Sequence, residues 1–563
     1  MTRRGHLVTA GGVAAFLVAG TVFISGLGSL PLMEPDEGRN AEVAREMAER
    51  GSWLVPTLEG LPYLDKPAAY FDAVALSLRA FGNDAWAARL PSVVCGFATL
   101  ALLYAFSLRV YEPVTAALVV IVAGTAPLFI AFSRIVIMDG ALCACTTAAI
   151  LAGFIAEAGA MPDRRWHAAG AAAAGLGTLV KGPVGTIVPA LVLVAFFVAD
   201  GRPRALRRVF APVNVAIVLG LVLPWFLLLV RAHPEFARYG LVEESLNRFL
   251  TPAFHRGKPL WFFLPVFLAT LMPWTVLLAP MAVAAWRERA RLTSADRLLV
   301  AWALVVLVFF SLSRTKQPAY ILSGVVAAAA LVGRGLGYAW RRRDGRASHL
   351  VARTAIVLAG MALAGAAALG WLALRGSQDG PSAWLGLVWP QLVCALLLMA
   401  LCGLLAWRER RVGFAVAAGC VVQIALFTVA LPGAAAYARA RSVEPLAESL
   451  ARVPQQVEIA AYEGYPAGLS FYLDRTITLI GDDAHALPSN FVPYWLRRSA
   501  ALPATIVSSA GREAWISSRG NEVLVLAPAA QREALASWLG DRGRVHPVGA
   551  NWWGAFIAPR AGR

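Results

Sequence analysis

The chain has 563 residues, of which 58% are hydrophobic and only 15% are charged. Soluble globular chains are closer to half apolar, so this composition excludes an ordinary soluble enzyme and indicates a membrane protein. The net charge of +17 would suit a nucleic-acid partner, but the arginines lie mostly in short loops between apolar runs, where the positive-inside rule and anionic membrane lipids explain them without nucleic acid.

Apolar runs predict about thirteen transmembrane helices, because crossing the hydrocarbon core takes about 20 apolar residues. In chain order they lie near 7–30, 86–108, 114–132, 140–158, 167–180, 183–199, 209–231, 260–285, 297–312, 318–339, 350–374, 384–406 and 412–432. The first run has a basic start, as signal peptides do, but its length and the lack of a clear small-residue cleavage site favour a retained helix.

Arginine clusters orient these helices. Each cluster stands before the first predicted span or after an even-numbered one, within residues 3–4, 164–165, 202–208, 287–291, 341–346 and 408–411. Lysine and arginine accumulate in cytoplasmic loops, so all of these loops are expected on the cytoplasmic side. The N-terminus is then cytoplasmic, and the odd-numbered connections face outward.

The first outward loop, residues 31–86, is too long for a simple connector. Four carboxylates lie within nine residues at its start: Glu34, Asp36, Glu37 and Glu42. At a membrane face, desolvation can raise a carboxylate pKa and make the group a usable base. The alternative is structural, since Asp36 and Glu37 would also suit the first turn of a helix near 38–50.

Three further charged residues lie at or near the ends of apolar segments, where a charge calls for an explanation. Lys66, beside a proline, is either a phosphate contact or a snorkelling lysine. Asp139 begins the fourth span, where a carboxylate is costly unless it is functional or caps the helix. Lys181 precedes a Gly-Pro break between two short apolar runs, which either lines a cavity or anchors a helix end.

Cations in two later outward loops run against the positive-inside trend. These loops contain Glu243, Glu244, Asn247, Arg248, His255, Arg256 and Lys258, then Arg314, Lys316, Gln317 and Tyr320. Binding of an anionic phosphate is one explanation for cations on the outer side. The chain has no H-E-x-x-H motif, no paired C-x-x-C and no Ser-His-Asp order, so hydrolase and zinc-peptidase functions have no motif support.

The composition changes after about residue 432, which divides the chain into a transmembrane domain, 1–432, and an outward-facing soluble α/β domain, 433–563. Strands are predicted at 457–462, 476–480, 504–507 and 522–526, and helices near 466–473 and 529–539. Strands alternating with helices indicate a small layered α/β unit. Without a G-x-G-x-x-G or P-loop, nucleotide binding is not indicated.

The segment Asp36-Glu37-Gly38-Arg39-Asn40-Ala41-Glu42-Val43-Ala44-Arg45-Glu46-Met47 resembles the first-loop signature of bacterial aminoarabinose (4-amino-4-deoxy-L-arabinose) transferases. These belong with protein O-mannosyltransferases among the C-type membrane glycosyltransferases. Similar motifs follow in the same order to about residue 330: Tyr63-Leu64-Asp65-Lys66-Pro67, Arg89-Leu90-Pro91-Ser92, Lys181-Gly182-Pro183, Phe262-Phe263-Leu264-Pro265 and Lys316-Gln317-Pro318-Ala319-Tyr320. The order of the set is specific for the superfamily and less so for the sugar.

The resemblance implies an inverting transferase that uses a polyprenyl-phosphate-linked sugar, such as undecaprenyl phosphate-aminoarabinose, at the outer face of the bacterial inner membrane. Its catalytic residues would be Asp36, Asp139 and Glu37. Donor phosphate would be held by Lys66, Arg248, Lys316 and Lys181, and substrate by Arg39, Tyr63 and Tyr320. In relatives, a Glu before the Lys-Pro pair and a His in a later loop have been linked to a divalent metal. The corresponding residues here are Asp65, whose side chain is shorter than that of Glu, and His255. At the position of Asn40, relatives in the family often have a Tyr.

This chemistry is physically consistent. A polyprenyl phosphate is a good leaving group whose developing negative charge needs fixed cations, and Lys66, Arg248 and Lys316 lie in loops that could converge on it. Asp36 could take the proton of a hydroxyl acceptor. A lipid A phosphate is already anionic, so Asp36 would then orient the sugar or bind its amino group.

The leading hypothesis is therefore transfer of aminoarabinose to lipid A, a lipopolysaccharide modification. One alternative is transfer to protein or another envelope glycan. A different class is a lipid or sugar transporter or flippase, which predicts pseudo-repeated halves and polar residues deep within the spans. Neither feature is clear in the sequence. No cofactor is certain from the sequence.

Overall fold

A computed structural model describes residues 3–251, 257–287, 292–342, 345–375, 383–481, 487–498, 502–549 and 551–559. The helices before residue 240 are α1 (Arg3–Ile24), α2 (Asp36–Arg50), α3 (Ala69–Phe81), α4 (Ala85–Val110), α5 (Pro113–Gly124), α6 (Pro127–Phe132), α7 (Asp139–Ile155), α8 (Arg164–Lys181), α9 (Val184–Ala199), α10 (Leu206–Val209), α11 (Pro212–Ala232) and α12 (Phe236–Arg238). A short β-hairpin, β1 (Thr57–Leu58) and β2 (Leu61–Pro62), lies between α2 and α3.

A π-helical segment, Tyr239–Asn247, leads into the next helices. These are α13 (Arg248–Leu250), α14 (Phe263–Thr270), α15 (Thr275–Arg287), α16 (Ser294–Leu312), α17 (Leu322–Arg341), α18 (Arg346–Arg375), α19 (Ala383–Glu409), α20 (Val412–Thr428), α21 (Leu431–Ala440) and α22 (Glu444–Leu450). The C-terminal elements are β3 (Glu458–Tyr462), α23 (Leu469–Leu473), β4 (Thr478–Ile480), α24 (Phe491–Leu496), β5 (Ile506–Val507), α25 (Arg512–Ser517), β6 (Val523–Pro528), α26 (Arg532–Leu539), β7 (His546–Gly549) and β8 (Trp552–Ile557).

The chain is a helical multi-span membrane protein. Within the described residues, six helices are long and apolar enough to cross a membrane: Ala85–Val110, Pro212–Ala232, Ser294–Leu312, Pro318–Arg341, Arg346–Ala373 and Val388–Glu409. Two bent helix pairs raise the number to eight if each pair is one span, and four shorter apolar helices, of 10–17 residues, add to the apolar part. Each of the thirteen segments predicted from the sequence contains at least part of one of the helices given above.

The fold divides into two compact units. The first contains Met1–Leu27, Pro91–Phe226 and Val242–Ala434, and the second contains Gly28–Leu90, Leu227–Leu241 and Ala435–Arg563. In the first unit α17 packs against α5 and α16, and α18 packs against α19. A Cβ added at Gly333 would lie 2.5 Å from the Cα of Val119, so the small residue lets α17 approach α5 closely.

The second unit is built on a six-stranded mixed sheet in the order β5-β4-β3-β6-β8-β7. The four strands β5, β4, β3 and β6 are parallel, while β8 runs antiparallel to both β6 and β7. Val523, Val525 and Ala527 of β6 pack with Leu535 and Trp538 of α26 in the core of this unit. The four strands predicted from the sequence are confirmed, and β7 and β8 are additional.

The first loop joins this second unit through backbone hydrogen bonds. The amide of Leu32 donates to the hydroxyl of Tyr472 at 2.8 Å, and the amide of Glu34 donates to the carbonyl of Arg441 at 2.9 Å. The acidic start of the loop is therefore held against residues that follow it by more than 400 positions in the sequence.

Candidate functional site

The acidic motif of the first loop forms the beginning of α2. Asp36 and Glu37 occupy the first turn of α2, where the positive end of the helix dipole favours carboxylates, and Gly51 ends the helix with a φ of 65°. The helix predicted near 38–50 is thus confirmed. The side chain of Asp36 is 52% exposed, whereas Glu37 is buried. Of these two neighbours, only Asp36 presents an accessible carboxylate.

Glu37 is paired with an arginine that the sequence analysis assigned no role. Nε and Nη2 of Arg89 donate to the two oxygens of the Glu37 carboxylate at 2.9 Å each, and both side chains are 3% exposed. Arg89 also donates to the carbonyls of Leu30 and Pro31. A bidentate pair of this kind is rigid, so Glu37 and Arg89 hold the chain that leads into α2.

Asp36, Arg39 and Tyr63, three predicted site residues, lie together. A guanidinium nitrogen of Arg39 is 2.8 Å from the carboxylate of Asp36, and its Cζ lies 5.6 Å from the centre of the Tyr63 ring. Arg39 also donates to Asn40 and to the carbonyl of Pro488. Asp36 is thereby an exposed carboxylate with one fixed cation beside it.

Further buried acids tie the first loop to the sheet of the second unit. The carboxylate of Glu59 accepts hydrogen bonds from the hydroxyls of Tyr465 and Ser470 and from the amide of Ile477. Burial raises the pKa of Glu59 to about 7. Arg45 pairs with Glu42 at 2.7 Å and also contacts Asp474. None of these residues was predicted as a site; the contacts of Glu59 with Tyr465 and of Arg45 with Asp474 join residues more than 400 positions apart.

The carboxylate of Asp65, predicted as a metal ligand, is hydrogen-bonded to other groups of the protein. Its carboxylate accepts hydrogen bonds from the hydroxyl of Tyr239 at 2.7 Å and from the amides of Asn490 and Phe491, which begin α24. The other predicted ligand, His255, lies outside the described residues. Among the residues that the structure does describe, no three His, Cys, Asp or Glu side chains are grouped to hold a metal ion.

Asp139, Lys181 and Tyr320, all predicted site residues, come together in the first unit. Asp139 begins α7, Lys181 ends α8, and the ammonium of Lys181 is 2.5 Å from the carboxylate of Asp139. The same ammonium lies 5.4 Å from the centre of the Tyr320 ring. Because Asp139 is buried, its charge needs a partner, and Lys181 provides one. Lys181 is the last residue of α8 and precedes the Gly-Pro break in the backbone.

The remaining predicted cations, Lys316, Arg248 and Lys66, lie in different surroundings. The ammonium of Lys316 donates to the carbonyls of Lys258 and Ser313, and burial lowers its pKa. Arg248 pairs with Glu244, one turn earlier. Lys66 is half-buried next to Asp65 in the second unit.

Arg89 is a neighbour of the candidate site to which sequence reasoning assigned no role. It stands in the Arg-Leu-Pro-Ser motif near the start of α4, 52 positions after Glu37. An arginine near the start of an apolar helix was a signal that an anionic partner is needed, although it did not identify Glu37 as that partner.

Comparisons with known proteins are consistent with this geometry. Residues 65–227 match the family described as dolichyl-phosphate-mannose-protein mannosyltransferase. The chain is 28% identical, over 314 residues, to the undecaprenyl phosphate-alpha-4-amino-4-deoxy-L-arabinose arabinosyl transferase of Serratia proteamaculans, covering 55% of this chain and 56% of that one. It is 30% identical over 360 residues to the protein of the same description from Pseudomonas paraeruginosa, covering 63% of this chain and 64% of that one. Each match spans less than two thirds of the relative's length.

The fold as a whole resembles one solved structure closely. The crystal structure of ArnT from Cupriavidus metallidurans bound to undecaprenyl phosphate superposes with a TM-score of 0.82 at 23% identity. The alignment covers 99% of this chain and 98% of that one. At this identity the likeness describes the fold, and it extends over both units.

Proposed function

We propose that the chain is a C-type membrane glycosyltransferase, similar to the aminoarabinose transferases, and that it moves a sugar from a polyprenyl-phosphate carrier to an acceptor in the bacterial envelope. Within that class, the proposed donor is undecaprenyl phosphate-aminoarabinose and the proposed acceptor is lipid A. The match to relatives of that description supports this choice of donor.

The proposed location is the inner membrane, with about thirteen spans, a cytoplasmic N-terminus and the segment 433–563 in the periplasm. The arginine clusters support this orientation, since they all fall on one side when thirteen spans are counted. Four of the spans would then be the short apolar helices, which are 10–17 residues long.

The observation that carries the proposal is the exposure of Asp36 at the start of α2. Two neighbouring acids of the motif, Glu37 and Glu42, are buried and bound to arginines, whereas Asp36 is exposed and able to meet a substrate. The guanidinium of Arg39 donates a hydrogen bond to Asp36 and leaves the side chain of Asp36 52% exposed. We assign Asp36 as the catalytic carboxylate and Glu37 as a residue that positions it.

In the proposed reaction the acceptor oxygen attacks the anomeric carbon of the sugar while the bond to the polyprenyl phosphate breaks. A single displacement inverts the configuration at that carbon. With a hydroxyl acceptor, Asp36 takes the proton. With a phosphate acceptor no base is needed, and Asp36 pairs instead with the ammonium of the amino sugar.

The leaving polyprenyl phosphate carries negative charge that fixed cations stabilise. We assign this role to Lys66, Arg248, Lys316 and Lys181. Lys181 is the best supported of these, because it is half-buried beside Asp139 and Tyr320 and its ion pair with Asp139 holds its charge in place. Asp139 would orient Lys181, and Tyr320 and Tyr63 would contact the sugar.

A release assay tests the proposal. Purified protein is incubated with a panel of polyprenyl-phosphate sugars and an acceptor, and free polyprenyl phosphate is measured. Asp36→Asn is expected to lower the rate by at least about 100-fold, because a positioned base or charge contributes that much. The control Asp541→Asn alters an exposed acid elsewhere in the second unit and should leave the rate unchanged.

Full activity of Asp36→Asn would remove its catalytic assignment. Movement of the intact donor across a membrane, with no polyprenyl phosphate released for any sugar, would favour a transporter. Transfer to protein or to another glycan, but not to lipid A, would keep the enzyme class and change the acceptor.

A further inference from the structure

A cavity of about 370 Å³ lies within the second unit, where the start of the first loop, the α21–α22 connection and the β7–β8 turn meet. Its polar and aromatic lining comes from Glu34, Arg439, Arg441, Ser442, Asn551 and Trp552. Ligand sites usually measure about 300–1,000 Å³, so this one suits a small headgroup rather than a lipid chain.

The cavity carries a cation that is available to a ligand. Arg439 pairs with Glu444 and Glu448, so its charge is largely offset. Arg441 instead stacks on Tyr437, with its Cζ 5.1 Å from the ring centre, and has no carboxylate within 4 Å among the described residues. A planar guanidinium held against a ring is well suited to bind a phosphate through two nitrogens.

Glu34 adds a carboxyl group that does not repel an anion at neutral pH. Its Oε1 is buried, and no described residue gives that oxygen a hydrogen bond. Burial raises the pKa of Glu34 to about 8, so the group keeps its proton at pH 7. A neutral carboxylic acid both donates and accepts a hydrogen bond, which matches a sugar hydroxyl or a phosphate oxygen.

Trp552 and Asn551 supply the features that favour a saccharide. Trp552 is the first residue of β8 and is half-buried in the cavity wall. The face of an indole is electron-rich and attracts the weakly positive C–H bonds of a sugar ring. The amide of Asn551 and the hydroxyl of Ser442 are polar groups of the kind that fix a ligand's orientation.

We infer that this cavity binds a phosphorylated saccharide, with the phosphate at Arg441, the sugar ring on Trp552 and Glu34 hydrogen-bonded to the ligand. The inference deepens the proposed function and rests on it in one respect, the identification of the ligand as the acceptor headgroup. Glu34 precedes Asp36 by two residues, so a headgroup held here lies next to the proposed catalytic carboxylate.

Direct binding to the full-length purified protein, without any donor, is the test. Glucosamine 1-phosphate is titrated alongside unphosphorylated glucosamine and inorganic phosphate. We expect the sugar phosphate to bind at least about tenfold more tightly than either part, because both the charge and the ring are recognised. Equal affinity for inorganic phosphate, or no binding of the sugar phosphate, would overturn the inference.

Variants locate the binding to this cavity. Arg441→Gln should weaken binding of glucosamine 1-phosphate about tenfold or more, since a hydrogen bond to a charged group is lost. The matched control is Arg452→Gln, an exposed arginine outside the cavity lining, and it should bind like the wild type. Unchanged binding in Arg441→Gln would contradict the assignment.

Trp552→Ala should weaken binding of the sugar phosphate while leaving the weak binding of inorganic phosphate unaltered. Trp552→Phe keeps an aromatic face and should retain most of the affinity, which separates loss of the sugar contact from misfolding. Equal affinities of the alanine variant and the wild type for the sugar phosphate would refute the sugar-stacking role.

The source of the headgroup is decided by a parallel measurement with nanodiscs that contain lipid A. Binding that Arg441→Gln weakens in nanodiscs identifies a lipid-borne headgroup, and binding of the soluble sugar phosphate alone identifies a free ligand. Because no donor is present, binding can succeed even if no polyprenyl phosphate is ever released, so the two proposals fail independently.

Discussion

Asp36 and Glu37 are neighbours in sequence with opposite environments. Successive residues of an α-helix point about 100° apart, so the turn that exposes Asp36 directs Glu37 into the protein. There Glu37 meets Arg89, and the pair is stable because both charges are satisfied together. The same acidic motif thus contains one accessible carboxylate and one that holds the loop.

The Glu37–Arg89 pair gives a stability prediction. Glu37→Ala leaves Arg89 buried and uncompensated, so we expect the free energy of unfolding to fall by about 3–5 kcal/mol. The measurement is denaturant unfolding of the detergent-solubilised protein. Glu448→Ala, which breaks an exposed pair with Arg439, should cost less than about 1 kcal/mol.

Equal losses in the two variants would show that the Glu37 pair is no more important than a surface contact. Replacing both Glu37 and Arg89 by methionine should recover part of the stability lost in Glu37→Ala, because no unpaired buried charge remains.

Glu59 gives a prediction for pH. Its pKa is about 7 in the folded protein against an ordinary 4.5, so between these values the folded state binds more protons than the unfolded state. Stability should therefore fall as the pH rises from 4.5 to 7 and change little from this group above pH 7. Glu46 lies near enough to add to the rise in pKa.

Glu59→Gln keeps the size of the side chain and removes its charge, so the decline in melting temperature between pH 4.5 and 7 should become shallower. Glu448→Gln, at an exposed acid, should leave the wild-type slope. An unaltered slope in Glu59→Gln would mean that Glu59 ionises normally.

At the scale of the element, short helices in the second unit depend on groups from distant segments. The helix α24 has only six residues, and the amides of Asn490 and Phe491 at its start are bound by Asp65, more than 400 positions earlier. Its own N-cap residue makes no side-chain cap. Isolated helices this short are unstable, so α24 owes its existence to such tertiary contacts.

Asp65→Ala should lower the free energy of unfolding by about 2 kcal/mol or more, because two amides and the Tyr239 hydroxyl lose their acceptor. Asp65→Asn retains one acceptor oxygen and should cost less. The measurement is differential scanning calorimetry of the wild type and both variants, with and without a chelator. A chelator that lowers the wild-type melting temperature to that of Asp65→Ala would instead support the predicted metal role of Asp65.

At the scale of the whole molecule, the apolar helices make the chain a multi-span membrane protein, and the arginine clusters predict its orientation. The apolar helices differ greatly in length, from the 28 residues of Arg346–Ala373 to helices of 10–17 residues. Short helices cross a bilayer only when neighbouring helices cover them, so hydropathy and packing decide the topology jointly.

Topology is testable by cysteine labelling in a variant without native cysteines. Met161→Cys lies at an 82% exposed position after α7, on the proposed cytoplasmic side, and Ser517→Cys lies at the exposed end of α25. In spheroplasts, a membrane-impermeant maleimide should label Ser517→Cys and spare Met161→Cys until the membrane is opened. The reverse pattern would invert the proposed orientation.

Several residues of the candidate site could be singled out from the sequence because they belong to short motifs between apolar segments. The groupings of Asp36 with Arg39 and of Asp139 with Lys181 join residues that the sequence analysis had already singled out. The partners of Glu37, Glu59 and Asp65 were not predictable, since each lies between 52 and 426 positions away and no local pattern marks the pairing.

The sequence by itself determined that the chain is a multi-span membrane protein, where α2 begins and where four strands of the C-terminal sheet lie, because hydropathy, helix termini and strand periodicity are local properties. Only the tertiary structure decided which acid of the first loop stays accessible, which acids are buried against arginines, and that the loop and the sheet form one unit around a polar cavity. The reason is that burial and charge pairing depend on residues far apart in the chain, whose approach is fixed by packing.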